Sequence, residues 1–462
     1  MRKIVIIIAF LSFIMTLDSD AINGYEWQFL LPLTFLFLYI FFAPPLKNMG
    51  IGYSVLNIVW LIRYCLSPVL NKVSDYQIIH YSIVDENDLY IAQVLMLIEL
   101  LVTIFVCSYF YRRGHQTRKF NVSLFDKNNK GAIDTTRAPR TVGMTILISM
   151  LALSLLVLVF DSNALNGFNF IFNSNYEVHG SANFGLSILI LWWTKIIITV
   201  FLISKFGARE YRKHNSLNIL SSIVIVLLSI SFFNGMSRNE VLIESLAYIY
   251  LLTRLFPKNK KGILAICISS LGAILLFITI SRYFDTRNVS EGLANYDLNN
   301  IVVTLNSYFA GQQNVAIGVR TLDLYWHEYT MLTIFKDIFV NAMFLNIFVP
   351  DVPSTVDMFN RTLYGHSQWA DQISPMITQV IGLFNVFGIF IPAFIVFLII
   401  KMDRIANDTP SIFAVFLVSF ISVNLAFYSP GNLTILSTAI FNRFLPLYII
   451  YRLTNVYMLK NQ

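Results

Sequence analysis

The chain has 462 residues, of which 56% are hydrophobic, 15% aromatic and only 13% charged, and its formal net charge is +7. A soluble domain carries roughly 25% charged residues, so a surface turned wholly to water is excluded. Nucleic-acid binding is a poor reading of the positive balance, because the Lys and Arg are spread over short loops between apolar stretches.

Taken in order, twelve stretches are predicted to cross a bilayer: 3–17, 28–43, 51–70, 90–111, 142–160, 185–204, 217–233, 240–256, 263–281, 377–400, 411–428 and 433–451. A span needs roughly 20 mostly apolar residues. In hydrocarbon only a helix or a closed barrel satisfies the backbone, and these stretches do not alternate as barrel strands do. The expected fold class is therefore all-α, a single polytopic membrane domain of about twelve helices. Arg2-Lys3 and the run Ile4–Leu17 resemble a secretion signal, but Asp18-Ser19-Asp20-Ala21 lacks a small-x-small cleavage pattern. The run reads as a retained first span.

Most of the Lys and Arg fall on one set of alternating loops and most of the Asp and Glu on the other. That asymmetry places both termini on the cytoplasmic side. The segment 112–141 becomes a basic cytoplasmic loop, lying against anionic lipid. The segment 282–376 becomes a large outer-face loop between the ninth and tenth spans. Structureless loops of such length are uncommon, and this one holds Tyr308-Phe309, Leu324-Tyr325-Trp326 and the run Ile334–Val349. That run, with Lys336 and Asp337 near its start, is expected to lie as a helix along the outer interface. The functional surface is placed on this segment.

Cys65, Cys107 and Cys267 each sit inside an apolar stretch, with no CxxC and no Cys/His cluster. They read as small buried hydrophobes, which predicts neither a disulfide framework nor a metal site. No GxSxG, HExxH, P-loop or GxGxxG occurs, so no ATP site and no cofactor are expected.

Arg63, Glu99, Lys195, Glu244 and Arg443 fall within predicted spans, and Arg238 and Arg282 at the outer ends of two more. A charge at bilayer depth costs roughly 2.5–3.5 kcal/mol on insertion scales, so each needs a partner or a wet cavity. Internal pairing, for example Arg63 with Glu99, accounts for part of the set. Five basic residues against two acidic ones leave a cationic excess, which favours an anionic substrate arriving through the membrane. A lipid phosphate or pyrophosphate fits best, because Arg presents a fork matched to phosphate oxygens. Arg238 follows Asn234-Gly235-Met236-Ser237 and precedes a predicted helix N-terminus, whose free N–H groups also attract anions. His366, in Gly365-His366-Ser367-Gln368-Trp369-Ala370-Asp371 just before the tenth span, is the histidine singled out.

With these features in place, the chain resembles the Wzy-type oligosaccharide repeat-unit polymerases, relatives of the O-antigen ligases. The resemblance covers most of the chain as architecture. Locally, Gly235-Met236-Ser237-Arg238 is similar to the superfamily's Gly-x-Ser-Arg turn, and Ile280-Ser281-Arg282 to the arginine at the outer end of the next span. His366, followed by Ile381-Gly382-Leu383 and Phe387-Gly388-Ile389, resembles the ligases' His before a glycine-bearing helix, with looser spacing and no His-Asn pair.

The resemblance implies a glycosyltransferase-C-like enzyme of the bacterial cytoplasmic membrane. It would join undecaprenyl-pyrophosphate-linked oligosaccharides on the outer face by metal-independent glycosyl transfer. Arg238 and Arg282, with Arg63, Lys195 and Arg443 as further cations, would hold the lipid carrier's pyrophosphate. His366 or Asp371 would act as general base toward the acceptor hydroxyl. A flippase and a chain-length regulator are the implied protein partners. A lipid-linked oligosaccharide flippase, an O-antigen ligase and a scaffold protein stay open as alternatives.

Overall fold

The computed structural model describes residues 2–17, 24–44, 50–74, 84–115, 144–161, 164, 168–170, 185–213, 216–234, 238–285, 298–366, 373–409 and 411–460. The first half of the chain forms helices α1 (Arg2–Thr16), α2 (Leu30–Phe41), α3 (Ile51–Leu61), α4 (Ser67–Val73), α5 (Glu86–His115), α6 (Met144–Phe160), α7 (Leu186–Lys213), α8 (Ser216–Ser231), α9 (Arg238–Leu255) and α10 (Lys260–Asp285). The second half forms α11 (Leu298–Phe309), α12 (Gln312–Tyr325), α13 (Met331–Phe339), α14 (Thr355–Tyr364), α15 (Met376–Phe384), α16 (Phe390–Asp408), α17 (Ile412–Phe427), α18 (Leu433–Thr438) and α19 (Leu445–Lys460). One departure from all-α is a short antiparallel ribbon, β1 (Phe168–Phe170) against β2 (Phe232–Asn234), with Asn169 opposite Phe233.

Each of the twelve predicted stretches is helical over most of its described length, with 217–233 ending in β2 and 377–400 broken by a 3-10 turn at Asn385–Ile389. Five helical segments among the described residues are long and apolar enough to cross a bilayer: Ile51–Val73, Glu86–Arg113, Leu186–Arg209, Met376–Asp408 and Leu433–Leu453. Leu30–Phe41, Met144–Phe160, Leu217–Ser231 and Ile412–Phe427 are apolar but shorter. At 1.5 Å rise per residue, a 12-residue helix such as α2 covers about 18 Å of a hydrocarbon core roughly 30 Å thick.

Two of the five spans are continuous only through π-helical turns. In the first, Ile62–Leu66 joins α3 to α4, and the Ser67 N–H donates to the Ile62 carbonyl. In the last, Ala439–Phe444 joins α18 to α19. Each turn is followed by a proline, Pro68 or Pro446, which removes one N–H from the ladder and crowds the preceding turn. A widened turn relieves that crowding. Proline also strips the carbonyl four residues back of its partner; for Pro446 this is Asn442, and the Trp193 indole N–H donates to it at 2.9 Å.

The chain divides into two compact units. Unit one comprises Met1–Arg118, Asn295–Lys401 and Asn424–Ala439; unit two comprises Lys119–Ala294, Met402–Val423 and Ile440–Gln462. In unit one, α12 packs along α5, α2 against α1 and α5, and α11 against α4. The α11–α4 contact is a polar knot. Ser67 Oγ donates to Asn306 Oδ1 at 2.7 Å and Asn306 Nδ2 donates to Asn71 Oδ1 at 2.9 Å. Gly311 stands beside it because a Cβ there would run into Asn306 and Ser67. Two helices from the predicted outer loop thus pack directly on spanning helices.

Helix α13 has its polarity inverted. Thr333 and Asp337 are buried, while Met331, Leu332 and Phe335 are exposed. Phe344, Ile347 and Phe348 extend the exposed apolar surface. Such an inversion suits a surface facing lipid rather than water. In unit two, α7 packs with α6 and α8, and α9 with α8 and α10. Its aromatic core stacks Tyr248 on Phe416 at 4.5 Å and sets Trp192 5.6 Å from Phe420.

Candidate functional site

Helix α9 opens at Arg238 and carries Glu240 and Glu244 over its first two turns. Residues four apart share one helix face, so both carboxylates point the same way. Lys195, on α7, donates to Glu244 at 2.9 Å and to the Phe232 carbonyl of β2 at 2.9 Å. Ser229, on α8, donates to the other Glu244 oxygen at 3.5 Å and accepts from Thr199 at 3.0 Å. Arg443, in the second π turn, pairs with Glu240. Its guanidinium also lies 5.6 Å from the ring centre of Trp192, one helical turn before Lys195, a cation–π contact that strengthens where water is scarce. Two cations and two carboxylates therefore tie α7, α8, α9 and the last span's π turn into one cluster within unit two.

In unit one, Arg63 lies in the first π turn and forms a bidentate pair with Glu99 of α5, at 3.0 and 2.7 Å. The two side chains are 2% and 5% exposed. A π turn rotates the following residues relative to an unbroken helix, and such turns recur at functional sites. Here they place a buried arginine opposite a carboxylate in both cases.

These pairs correct one expectation. The count of five basic against two acidic residues left out Glu240, which opens the stretch 240–256, lies in the first turn of α9 and pairs with Arg443. Arg63, Lys195 and Arg443 are each held by a carboxylate, from Glu99, Glu244 and Glu240. Arg238 is the first residue of α9 and Arg282 lies near the end of α10; the side chains of both lie outside the described residues, as does Asp371.

His366 is exposed and belongs to unit one. Helix α14 ends on Gly365 in the left-handed conformation, φ +72°, and the Gly365 N–H closes on the Arg361 carbonyl. That C-cap is ordinary for glycine and turns the chain so that the His366 ring stacks on Tyr364 at 6.2 Å. The two glycines expected on the following helix are packing residues. A Cβ on Gly382 would strike the Tyr329 ring, and one on Gly388 the Val380 carbonyl.

Sequence reasoning missed a buried centre in unit one. The Asp337 carboxylate accepts from the Thr355 N–H at 3.1 Å, the Thr355 hydroxyl at 2.6 Å and the Gln379 amide at 2.9 Å. Gln379 then accepts from the Leu433 N–H at 2.8 Å, so α13, α14, α15 and α18 meet at one carboxylate. Burial pushes the Asp337 carboxyl up to about 6, against the pull of those hydrogen bonds. The signal available in sequence was a lone Asp in the apolar run Ile334–Val349. It was read as part of an interfacial helix and not as its inward face.

Among the described residues no three His, Cys, Asp or Glu side chains gather closely enough to hold a metal ion. No protein-family model, curated protein or solved structure matches the chain.

Proposed function

We propose that the chain is a twelve-span, glycosyltransferase-C-like enzyme of the bacterial cytoplasmic membrane, with both termini inside. In this reading it polymerises undecaprenyl-pyrophosphate-linked oligosaccharide repeat units on the outer face. The observation that carries the reading is the placement of Arg238 as the first residue of an 18-residue helix. The N–H groups of that first turn have no partner within the helix, an arrangement suited to an anion such as a pyrophosphate. Arg282 is the second cation of the site. Lys195 and Arg443, held by Glu244 and Glu240, fix the position of α9 instead of gripping the ligand.

Negative charge grows on the pyrophosphate as the glycosidic bond to it breaks, and fixed cations aimed at that charge lower the barrier. The attacking sugar hydroxyl loses its proton to His366 or Asp371. The test is polymerisation by purified protein from lipid-linked repeat units. Arg238→Ala is expected to slow it by roughly 10²–10³-fold, the size of one lost transition-state donor, with Arg238→Lys recovering part. Full-length polymer at the wild-type rate from a normally folded Arg238→Ala variant removes the assignment.

A second reading, a flippase for the same lipid-linked oligosaccharide, draws on a different observation. Gln93, Gln312 and Gln313 are buried in unit one and each leaves an amide atom without a hydrogen-bond partner, as the lining of a wetted sugar path would. Deleting the protein separates the readings: single flipped repeat units accumulate if it is a polymerase, unflipped ones if it is a flippase. An O-antigen ligase would instead leave finished, unattached chains.

A further inference from the structure

At the far end of α5 from Glu86, a hollow of about 440 Å³ opens between that helix and the end of α2, within unit one. Phe42, Phe105, Ser108, Tyr109, Arg112 and Arg113 line it. Phe105, Ser108 or Tyr109, and Arg112 recur at three to four residues, which puts them along one stripe of α5. The hollow is therefore graded. Its floor is apolar, with Phe42 set edge-on to Phe105 at 4.9 Å. Seven residues further, about 10 Å at 1.5 Å per residue, the stripe ends in two guanidinium groups.

Arg113 donates to the Tyr109 hydroxyl at 3.2 Å, and among the described residues neither Arg112 nor Arg113 has a carboxylate within ion-pair distance. This sets them apart from Arg63, Lys195 and Arg443, each of which is paired. Both are exposed, and Phe105 and Tyr109 are themselves 47% and 56% exposed. An apolar trough leading to a phenol and two arginines with no carboxylate partner among the described residues is complementary to an amphiphile with one fatty chain on the aromatic floor and a phosphate between the guanidinium groups. The volume lies within the range of small-molecule sites, roughly 300–1,000 Å³.

We propose that this hollow is a binding site for one anionic glycerophospholipid, its phosphodiester held by Arg112 and Arg113 and an acyl chain laid over Phe42 and Phe105. The basic end of α5 faces the cytoplasmic leaflet in the orientation read from the loops, the leaflet where anionic lipid and basic residues attract. The proposal does not rest on the polymerase reading.

The test uses the full-length chain purified in a neutral detergent, titrated with phosphatidylglycerol, with phosphatidylcholine of the same acyl chains, and with glycerol phosphate. The expected result is a saturable rise in thermal midpoint with phosphatidylglycerol alone. The Arg112→Gln/Arg113→Gln variant should weaken the apparent affinity at least tenfold, and the Arg112→Lys/Arg113→Lys variant should weaken it less. A Tyr109→Trp variant reports on the site directly, its emission being quenched by brominated phosphatidylglycerol and not by the brominated choline lipid. Equal response to the two lipids, undiminished binding by the Gln variant, or quenching that ignores headgroup charge would overturn the proposal. Saturation by glycerol phosphate alone would replace the lipid with a soluble phosphate.

Discussion

Replacing Glu99 by Gln would leave the Arg63 guanidinium facing a neutral amide in a position where its side chain is 2% exposed. Water cannot reach in to solvate the stranded charge, so the loss is that of a broken buried pair, roughly 3–5 kcal/mol. Arg63→Met leaves the Glu99 carboxylate stranded instead, at a similar cost. The double replacement Arg63→Met/Glu99→Leu removes both charges and keeps the volume. Its expected effect lies between no cost and a small gain, because Arg63 Nε has no hydrogen-bond partner even in the native pair. The predicted pattern is two strongly destabilised single variants and a double variant close to wild type, the two single losses of roughly 3–5 kcal/mol cancelling instead of adding. Reversible unfolding in mixed micelles reads it, with helical circular dichroism as signal. Single variants that each cost under about 1 kcal/mol would mean the pair behaves as one bathed in solvent, and the argument from burial would fail.

Asp337 predicts a pH dependence. Its carboxyl is raised to about 6 from an unfolded value near 3.9, so between those values the folded chain holds a proton that the unfolded chain has released. Stability is greatest below about pH 4 and falls as the pH rises through 6, by about 3 kcal/mol in total. Thermal midpoints of wild type minus Asp337→Asn, taken from pH 4 to 7.5, should trace that fall, and a flat difference would refute it. Gly318→Ala should destabilise by about 1–3 kcal/mol through overpacking, because the new Cβ would lie 2.9 Å from Thr378 Cβ and 3.0 Å from its Cγ2. Thr378 is 2% exposed and, being β-branched, has little rotamer freedom to yield. Unfolding of Gly318→Ala with and without Thr378→Ala checks this, the second change being expected to restore part of the loss.

The helices were legible because apolar length is a local property, and the twelve predicted stretches are helical over most of their described length. The segment 298–366 was only partly legible. Ile334–Val349 was read as one helix, but the helix stops at Phe339 and the rest is turns; α11, α12 and α14 were not read at all, since Gln312, Gln313 and Asn314 look like loop residues and are in fact buried. Helix α12 buries Gln312, Gln313, Asn314 and Thr321 beside Val315, Ala316 and Val319, so polar residues interrupt its apolar period. The Arg63–Glu99 pair was readable because the residues lie in neighbouring spans at similar depth. The Arg443–Glu240 pair was not, because the partners are 203 positions apart and Glu240 sits where a hydropathy edge falls. The π turns left only Pro68 and Pro446 as traces.

What the ion pairs do for function follows from where their carboxylates come from. Glu240 and Glu244 both belong to the first two turns of α9, and each takes a cation from a different element, the last span's π turn and α7. Removing either cation would free one side of the helix that begins at Arg238. On the proposed function, a helix end that presents its N–H groups to a pyrophosphate would have to be held to within a fraction of an ångström, and the part-buried pairs Lys195–Glu244 and Arg443–Glu240 would hold α9 there as struts. In that reading, positive charge for a lipid pyrophosphate would come from Arg238 and Arg282, the first residue of α9 and a residue near the end of α10, because a charge at a helix end costs less than one at bilayer depth.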